Sequence, residues 1–248
     1  MNSTVTIGPH RLYLGDAYAI RPTLGWMDAD IMDPPYAFNN SGGGGFRKAR
    51  GASDQIVSEK LDRGFDHAII DPARSGSVVV FCHQDQIDNL VPAITEDESG
   101  DVDALLVADM FAALRRKYHR AALLVWVKPN PSPMANKHYL ADLEPYVHAW
   151  NKGWHPQGDH HDKHRHITAG SVQSKVYGHP TVKPEAVMNK IVANVAGETI
   201  CDPFMGTGST GVAAIRAGRI FTGIEHNPKH FETAVRRITS AYEERAAA

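Results

Sequence analysis

Between Glu198 and Glu225 the chain reads as strand, glycine loop, helix and strand, and no other stretch restricts the fold as tightly. The run Glu198 to Cys201 leads into Gly206, Gly208 and Gly211, a GxGxxG pattern, and the next strand, Ile220 to Glu225, ends on an acid. Such a βα unit belongs to a largely parallel sheet with helices packed on it. Glycines let the backbone approach a ligand closely, and the acid accepts hydrogen bonds from ribose hydroxyls. The loop therefore points to an adenosine-containing ligand without saying which, since a dinucleotide dehydrogenase carries the same pattern. Asp202, just before the loop, narrows the choice: it can receive a positively charged amino group and would repel a pyrophosphate, which favours S-adenosylmethionine.

Short β-branched runs alternate with helical stretches along the rest of the chain. Strands are expected at Arg11 to Leu14, Ala29 to Met32, Ser77 to Cys82, Ala122 to Val127, Tyr146 to Trp150, Glu198 to Cys201 and Ile220 to Glu225. Pro184 suits the first turn of a helix with an apolar stripe of Val187, Ile191, Val192 and Val195, and Asn227-Pro228 opens a last helix with Phe231, Val235, Ile238 and Tyr242 on one face. At 248 residues, 42% hydrophobic and 22% charged, the chain supports one large α/β core, and with no repeat or linker to divide it residues 1–248 are read as a single domain. Met1 to Leu14 carries no signal-peptide stretch, and the longest clean apolar run, Ala121 to Val127, is too short for a bilayer. A cytoplasmic protein with no membrane partner is expected. Cys82 and Cys201 show neither pairing nor metal spacing and are read as reduced core residues.

A net charge of −2 means that a nucleic-acid partner would have to be drawn by local basic patches. Arg47, Lys48 and Arg50 form one in a glycine-rich segment, and Lys163 and Arg165 another in a polar loop; Arg115, Arg116, Lys117 and Arg120 close a helix-like stretch. Segments 39–66 and 151–178 are the candidate contact loops. The histidines His155, His160, His161, His164 and His166 have no cysteine nearby and sit among Gly153, Gly158 and Gly170, so no metal is expected.

The second informative element is Asp33-Pro34-Pro35-Tyr36, at the end of the strand-like run Asp30-Ile31-Met32. A carboxylate, a carbonyl fixed by two prolines and an aromatic ring make a pocket for a planar amine. With this tetrapeptide ahead of the glycine loop, the chain resembles the β group of DNA amino-methyltransferases. Asp33 to Tyr36 resembles the catalytic motif of that family, Cys201 to Thr210 its first motif, Glu225 its ribose-binding acid and Gly15-Asp16 its adenine contact. His179 to Pro184 resembles the element leading into the helix before the glycine loop, and Trp126 to Asn130 the strand end flanking the catalytic site.

The resemblance implies a Rossmann-like S-adenosylmethionine-dependent methyltransferase fold with circularly permuted motif order. Its sheet would be seven-stranded and mostly parallel, with one antiparallel strand. It implies catalytic roles for Asp33, Pro34, Pro35 and Tyr36, and cofactor contacts from Asp16, Lys183, Asp202, Pro203, Phe204, Gly206, Gly208, Ser209 and Glu225. DNA contacts would come from Arg47, Lys48, Arg50, Lys128, Lys163 and Arg165. Lys183 has three open readings: a partner for the cofactor carboxylate, a DNA phosphate contact, or a solvated lysine near a helix start. Asp16 serves equally well as a helix N-cap, and Lys128 either touches the substrate strand or merely ends an edge strand.

The implied reaction is methyl transfer from S-adenosylmethionine to the N6 amine of an adenine swung out of double-stranded DNA. The adenine amine is a poor nucleophile, because its lone pair is delocalised into the ring. If the Asp33 carboxylate and the Pro34 carbonyl accept its two hydrogens, the nitrogen can pyramidalise and aim that pair, while Tyr36 stacks on the base. Cytosine N4 methylation is the nearest rival, since the same geometry serves both bases; the aspartate at the first position leans toward adenine in this family. A nicotinamide-dependent oxidoreductase and a catalytically silent DNA-binding module are the readings from other classes. The first gains nothing from Asp33 to Tyr36, and the second would leave DNA unmodified. The interval 151–178 is short for target recognition in the family, so sequence specificity stays open; a homodimer and a restriction endonuclease partner are separate open questions.

Overall fold

The structure is a computed structural model that describes residues 3–35, 65–82, 110–131, 139–171 and 182–247. Its centre is one nine-stranded sheet in the order β1-β2-β9-β8-β3-β4-β6-β5-β7. The strands are β1 (Ser3–Ile7), β2 (His10–Leu14), β3 (Met27–Met32), β4 (Ser75–Phe81), β5 (Arg120–Val127), β6 (Leu143–Trp150), β7 (His166–Thr168), β8 (Thr199–Asp202) and β9 (Ile220–Glu225). β1 is antiparallel to β2, and β6 to both β4 and β5; the other neighbouring pairs are parallel.

The expected seven strands are all present, but the sheet is larger than expected. β1 and β7 are additional, and β1 is a second antiparallel strand. β1 forms a hairpin with β2 across a turn in which Gly8 has φ +56, and most of its residues are exposed, so no apolar run marks it. β7 is three residues in a polar, histidine-rich stretch, and it is a strand only because the edge of β5 offers it hydrogen bonds.

Helices cover both faces. They are α1 (Ala17–Ile20), α2 (Met110–Lys117), α3 (Glu185–Asn194), α4 (Ser209–Arg216) and α5 (Pro228–Ala246). Strand β4 shows how the core divides: Val79 and Phe81 enter a cluster with Val187, Ile191, Val212, Ile215 and Ile238 from α3, α4 and α5. Its alternate residues Val78 and Val80 join Ile20, Met110 and Leu114 from α1 and α2 on the other face. Each such buried side chain contributes roughly 1.5–3 kcal/mol. Pro184 is the N-cap of α3 rather than a first-turn residue, and Asn227 caps α5 by accepting from Lys229 N at 3.0 Å. Both cysteines are buried thiols. Among the described residues no helix is long and apolar enough to cross a membrane.

The connections decide where a ligand sits. From β8 the chain passes through α4 to β9 on one side, whereas β3 leads to β4 on the other. The boundary between β8 and β3 is thus the switch point of the sheet, and crevices form beyond the carboxyl ends of strands at such points. The neighbouring parallel strands β2, β9, β8 and β3 end at or just before Asp16, Glu225, Asp202 and Asp33.

Candidate active site

The glycine loop follows from its backbone angles. Gly206 and Gly208 have φ of +53 and +84, left-handed values that side chains disfavour, and the turn closes with Gly208 N donating to Met205 O at 2.9 Å. The three glycines serve different ends. A Cβ on Gly206 would meet only the Phe204 carbonyl oxygen, at 4.0 Å, so the space beside it is open. A Cβ on Gly211 would stand 2.6 Å from Ile238 Cδ1 and 2.7 Å from the Phe221 ring, so that glycine permits close packing of α4. Two acids anchor the loop. Asp202 accepts from Phe204 N at 3.0 Å and Thr210 Oγ1 at 2.5 Å, and Glu225 accepts from Gly206 N at 2.8 Å and Asn227 N at 2.7 Å. Burial pushes the Asp202 carboxyl up to about 7, and the charges of Asp33 and Glu225 add to this against the hydrogen bonds from Thr210 and Phe204. An open cradle lined by acids is matched to a cationic ligand.

Across the switch point, Asp33 extends from β3 into an ion network. Lys183 Nζ donates to Asp33 Oδ2 and lies 3.0 Å from Glu144 Oε1, while Glu144 Oε2 is 2.5 Å from Lys128 Nζ. The Lys183 ammonium also stands over the Phe81 ring, 4.7 Å from its centroid. Burial alone would raise the Glu144 carboxyl, but Lys183 and Lys128 together hold it at about 2. Burial alone would likewise lower Lys183, and Asp33 and Glu144 keep its pKa above the ordinary lysine value. Lys183 is only 7% exposed, which removes the reading of a solvated lysine.

Comparison with known proteins shows the family of this chain. The family described as DNA methylase, N6_N4_Mtase, matches residues 27–236. The chain belongs to that family. This DNA methylase is 26% identical over 239 residues to the type II methyltransferase M2.DpnII of Streptococcus pneumoniae, across 88% of this chain and 84% of the relative. Among solved structures, the M1.HpyAVI-SAM complex matches with a TM-score of 0.59 at 24% identity, covering 91% of this chain and 98% of that one. PvuII DNA methyltransferase, cytosine-N4-specific, matches with a TM-score of 0.56 at 15% identity, over 96% and 93% of the two chains. At these identities the structural likeness is one of fold.

The remaining expected residues of the DNA methylase fall into three groups. Near the crevice, Asp16 caps α1 by accepting from Tyr18 N at 3.0 Å, Pro34 and Pro203 are buried, and Ser209 opens α4. Phe204 meets the rings of Tyr18 and Phe65 edge-on, with centroids 6.1 and 6.0 Å away, an aromatic wall that the sequence reading missed. Away from it, Lys163 and Arg165 are exposed beside β7 at the outer edge of the sheet. Tyr36, Arg47, Lys48 and Arg50 lie outside the described residues, as do His179, Pro180 and Thr181. Lys128, expected at the DNA, has Glu144 as its partner and stacks over Trp126 at 4.7 Å. Glu144 was missed altogether: its position at the head of β6 becomes visible only once the sheet is assembled.

Proposed function

We propose that this DNA methylase transfers the methyl group of S-adenosylmethionine to the N6 amine of an adenine swung out of double-stranded DNA. One observation carries the reading. The amine-binding carboxylate Asp33 and the acid-flanked glycine loop, far apart in the chain, emerge from adjacent parallel strands at the switch point of the sheet. That adjacency also supports a circularly permuted motif order, since Asp33 precedes the loop in sequence yet follows the strand beside it.

The open cradle at Gly206 and the buried Asp202 suit the cationic cofactor, with Glu225 at the ribose, Asp16 and Phe204 toward the adenine, and Pro203, Gly208 and Ser209 shaping the loop. When bound, the cofactor supplies a methyl group made electrophilic by its sulfonium. The chain's own part is to prepare the amine. The Asp33 carboxylate and the Pro34 carbonyl accept its hydrogens, Tyr36 stacks on the base, and Asp33 or water takes the released proton. Arg47, Lys48, Arg50, Lys163 and Arg165 are the proposed contacts to DNA phosphates, which position the duplex without reading bases, while Lys128 is taken up by Glu144. A cytoplasmic location and a restriction endonuclease partner belong to the same proposal.

Cytosine N4 methylation is the second reading, since the same amine geometry at Asp33 and Pro34 serves both bases. Unmethylated double-stranded DNA incubated with the enzyme and labelled cofactor, then analysed by nucleoside mass spectrometry, separates the two. Label on the N6 of deoxyadenosine supports the proposal. Label only on deoxycytidine replaces it with the second reading, and unlabelled DNA rejects both.

A further inference from the structure

We infer that Lys183 is a positioning residue that clamps the reacting carboxylate of Asp33, with Glu144 as its anchor, rather than a contact for the cofactor carboxylate. This rests on the reading of Asp33 as the acceptor of the target amine. Four parts of the fold converge to build the clamp. Asp33 follows β3, Phe81 ends β4, Glu144 lies in β6, and Lys183 immediately precedes the N-cap of α3. The lysine reaches the carboxylate across 150 residues of sequence and is nearly sealed from water.

The arrangement suits orientation better than stability. Desolvating a lysine and two carboxylates offsets most of their attraction, and well-packed apolar side chains would hold the same elements together at least as well. What an apolar side chain cannot do is fix the rotation of a carboxylate. The bond from Lys183 to Asp33 Oδ2 does so, and Glu144 Oε1 at 3.0 Å and the Phe81 face restrain the ammonium in turn. Lys128, on the other Glu144 oxygen, keeps that anchor charged.

The charges around Asp33 make the clamp testable. Lys183 approaches it from the α3 side, Asp202 from β8 with Glu225 behind it on β9, and Glu144 from β6 with Lys128 beyond. Lys183 is a cation in direct contact with Asp33, and the acids Asp202 and Glu144 lie close by. Removing it takes away a contacting positive charge while the repulsion from Asp202 stays, which favours protonation of Asp33, and a protonated Asp33 accepts the amine hydrogen poorly.

The experiment compares wild type with Lys183→Met, Lys183→Arg and Glu144→Gln in the full-length protein. Three quantities are read: S-adenosylmethionine affinity by calorimetry, the pH profile of methyl transfer to DNA at saturating cofactor, and the titration of the Asp33 carboxyl by carbon NMR without cofactor. Lys183→Met is expected to keep cofactor affinity within about twofold and to lose about 100-fold in kcat, the scale of a small misplacement of a reacting group. Its acid limb and its Asp33 titration both move to higher pH, and Lys183→Arg recovers most of that movement. An Asp33 titration and acid limb unchanged in Lys183→Met overturn the inference, as does a tenfold loss of cofactor affinity with normal turnover. Circular dichroism checks each fold, and if Lys183→Met does not fold, Glu144→Gln must show the same upward movement or the inference fails. Should wild type leave DNA unmethylated, the functional reading falls, while the NMR titration still decides the clamp.

Discussion

Cofactor affinity should depend on pH through Asp202, and its burial sets the size of the effect. Burial holds the carboxyl at about 7, so it is largely protonated below neutrality. A cationic ligand needs the carboxylate, so its dissociation constant scales inversely with the ionised fraction. For a carboxyl near 7 this gives a tightening of about 15-fold, or about 1.6 kcal/mol, from about pH 5.5 to 7. The α-amino group of the ligand stays protonated over most of that window, its ordinary value being about 7.7–8.0. Calorimetric titration with S-adenosylmethionine at four pH values measures the slope, and Asp202→Asn supplies the control: weaker binding and a flat profile. A wild-type affinity that does not change across the window, or a slope that survives in Asp202→Asn, refutes the reasoning. The same group has an opposite signature in the ligand-free protein. Because its folded pKa is raised, its contribution to stability is complete at acidic pH and is lost as pH rises through about 7.

Three further outcomes are expected. Gly206→Val, in open space but at φ +53, should leave the fold in place and lower cofactor affinity at least about tenfold, because its side chain enters the cradle. Gly211→Val should lower the melting temperature without entering the cradle, since overpacking Ile238 and Phe221 costs about 1–3 kcal/mol, and because valine at the left-handed Gly206 also carries backbone strain, calorimetric cofactor titration of the two folded variants separates the cases. His148 is buried and its pKa is pushed down to about 4, so the folded state resists the proton that the unfolded chain accepts near 6.5. Stability should therefore fall as pH drops from about 6.5 toward 4, and His148→Leu should flatten that part of a stability profile measured by urea unfolding.

What the sequence revealed and what it hid follow one physical division. The strands β4, β8 and β9 are almost wholly buried because both faces of each are covered, and the β-branched and aromatic residues this demands, as in Val78 to Phe81, are visible without knowing their neighbours. The glycine loop and Asp33 to Pro35 are equally local, since backbone angle and side-chain type act within a few residues. β1 and β7 escaped because an exposed edge strand owes its existence to the strand beside it. The clamp escaped for a related reason. Asp33, Glu144 and Lys183 come from β3, β6 and the approach to α3, and nothing in the order of residues says that these meet until the sheet order is known. The expected partners of Lys183 were a ligand or water, and the actual partners are two carboxylates of its own chain.

The central claim is that the crevice between β8 and β3 carries the transfer, with Asp33 acting on the amine and the glycine loop holding the cofactor. Asp33→Ala separates these roles in a single comparison of labelled-methyl incorporation into DNA and calorimetric cofactor affinity against wild type. The account predicts loss of detectable transfer with cofactor affinity within about twofold of wild type, the two halves of the site being built on different strands. Full transfer by Asp33→Ala would contradict it.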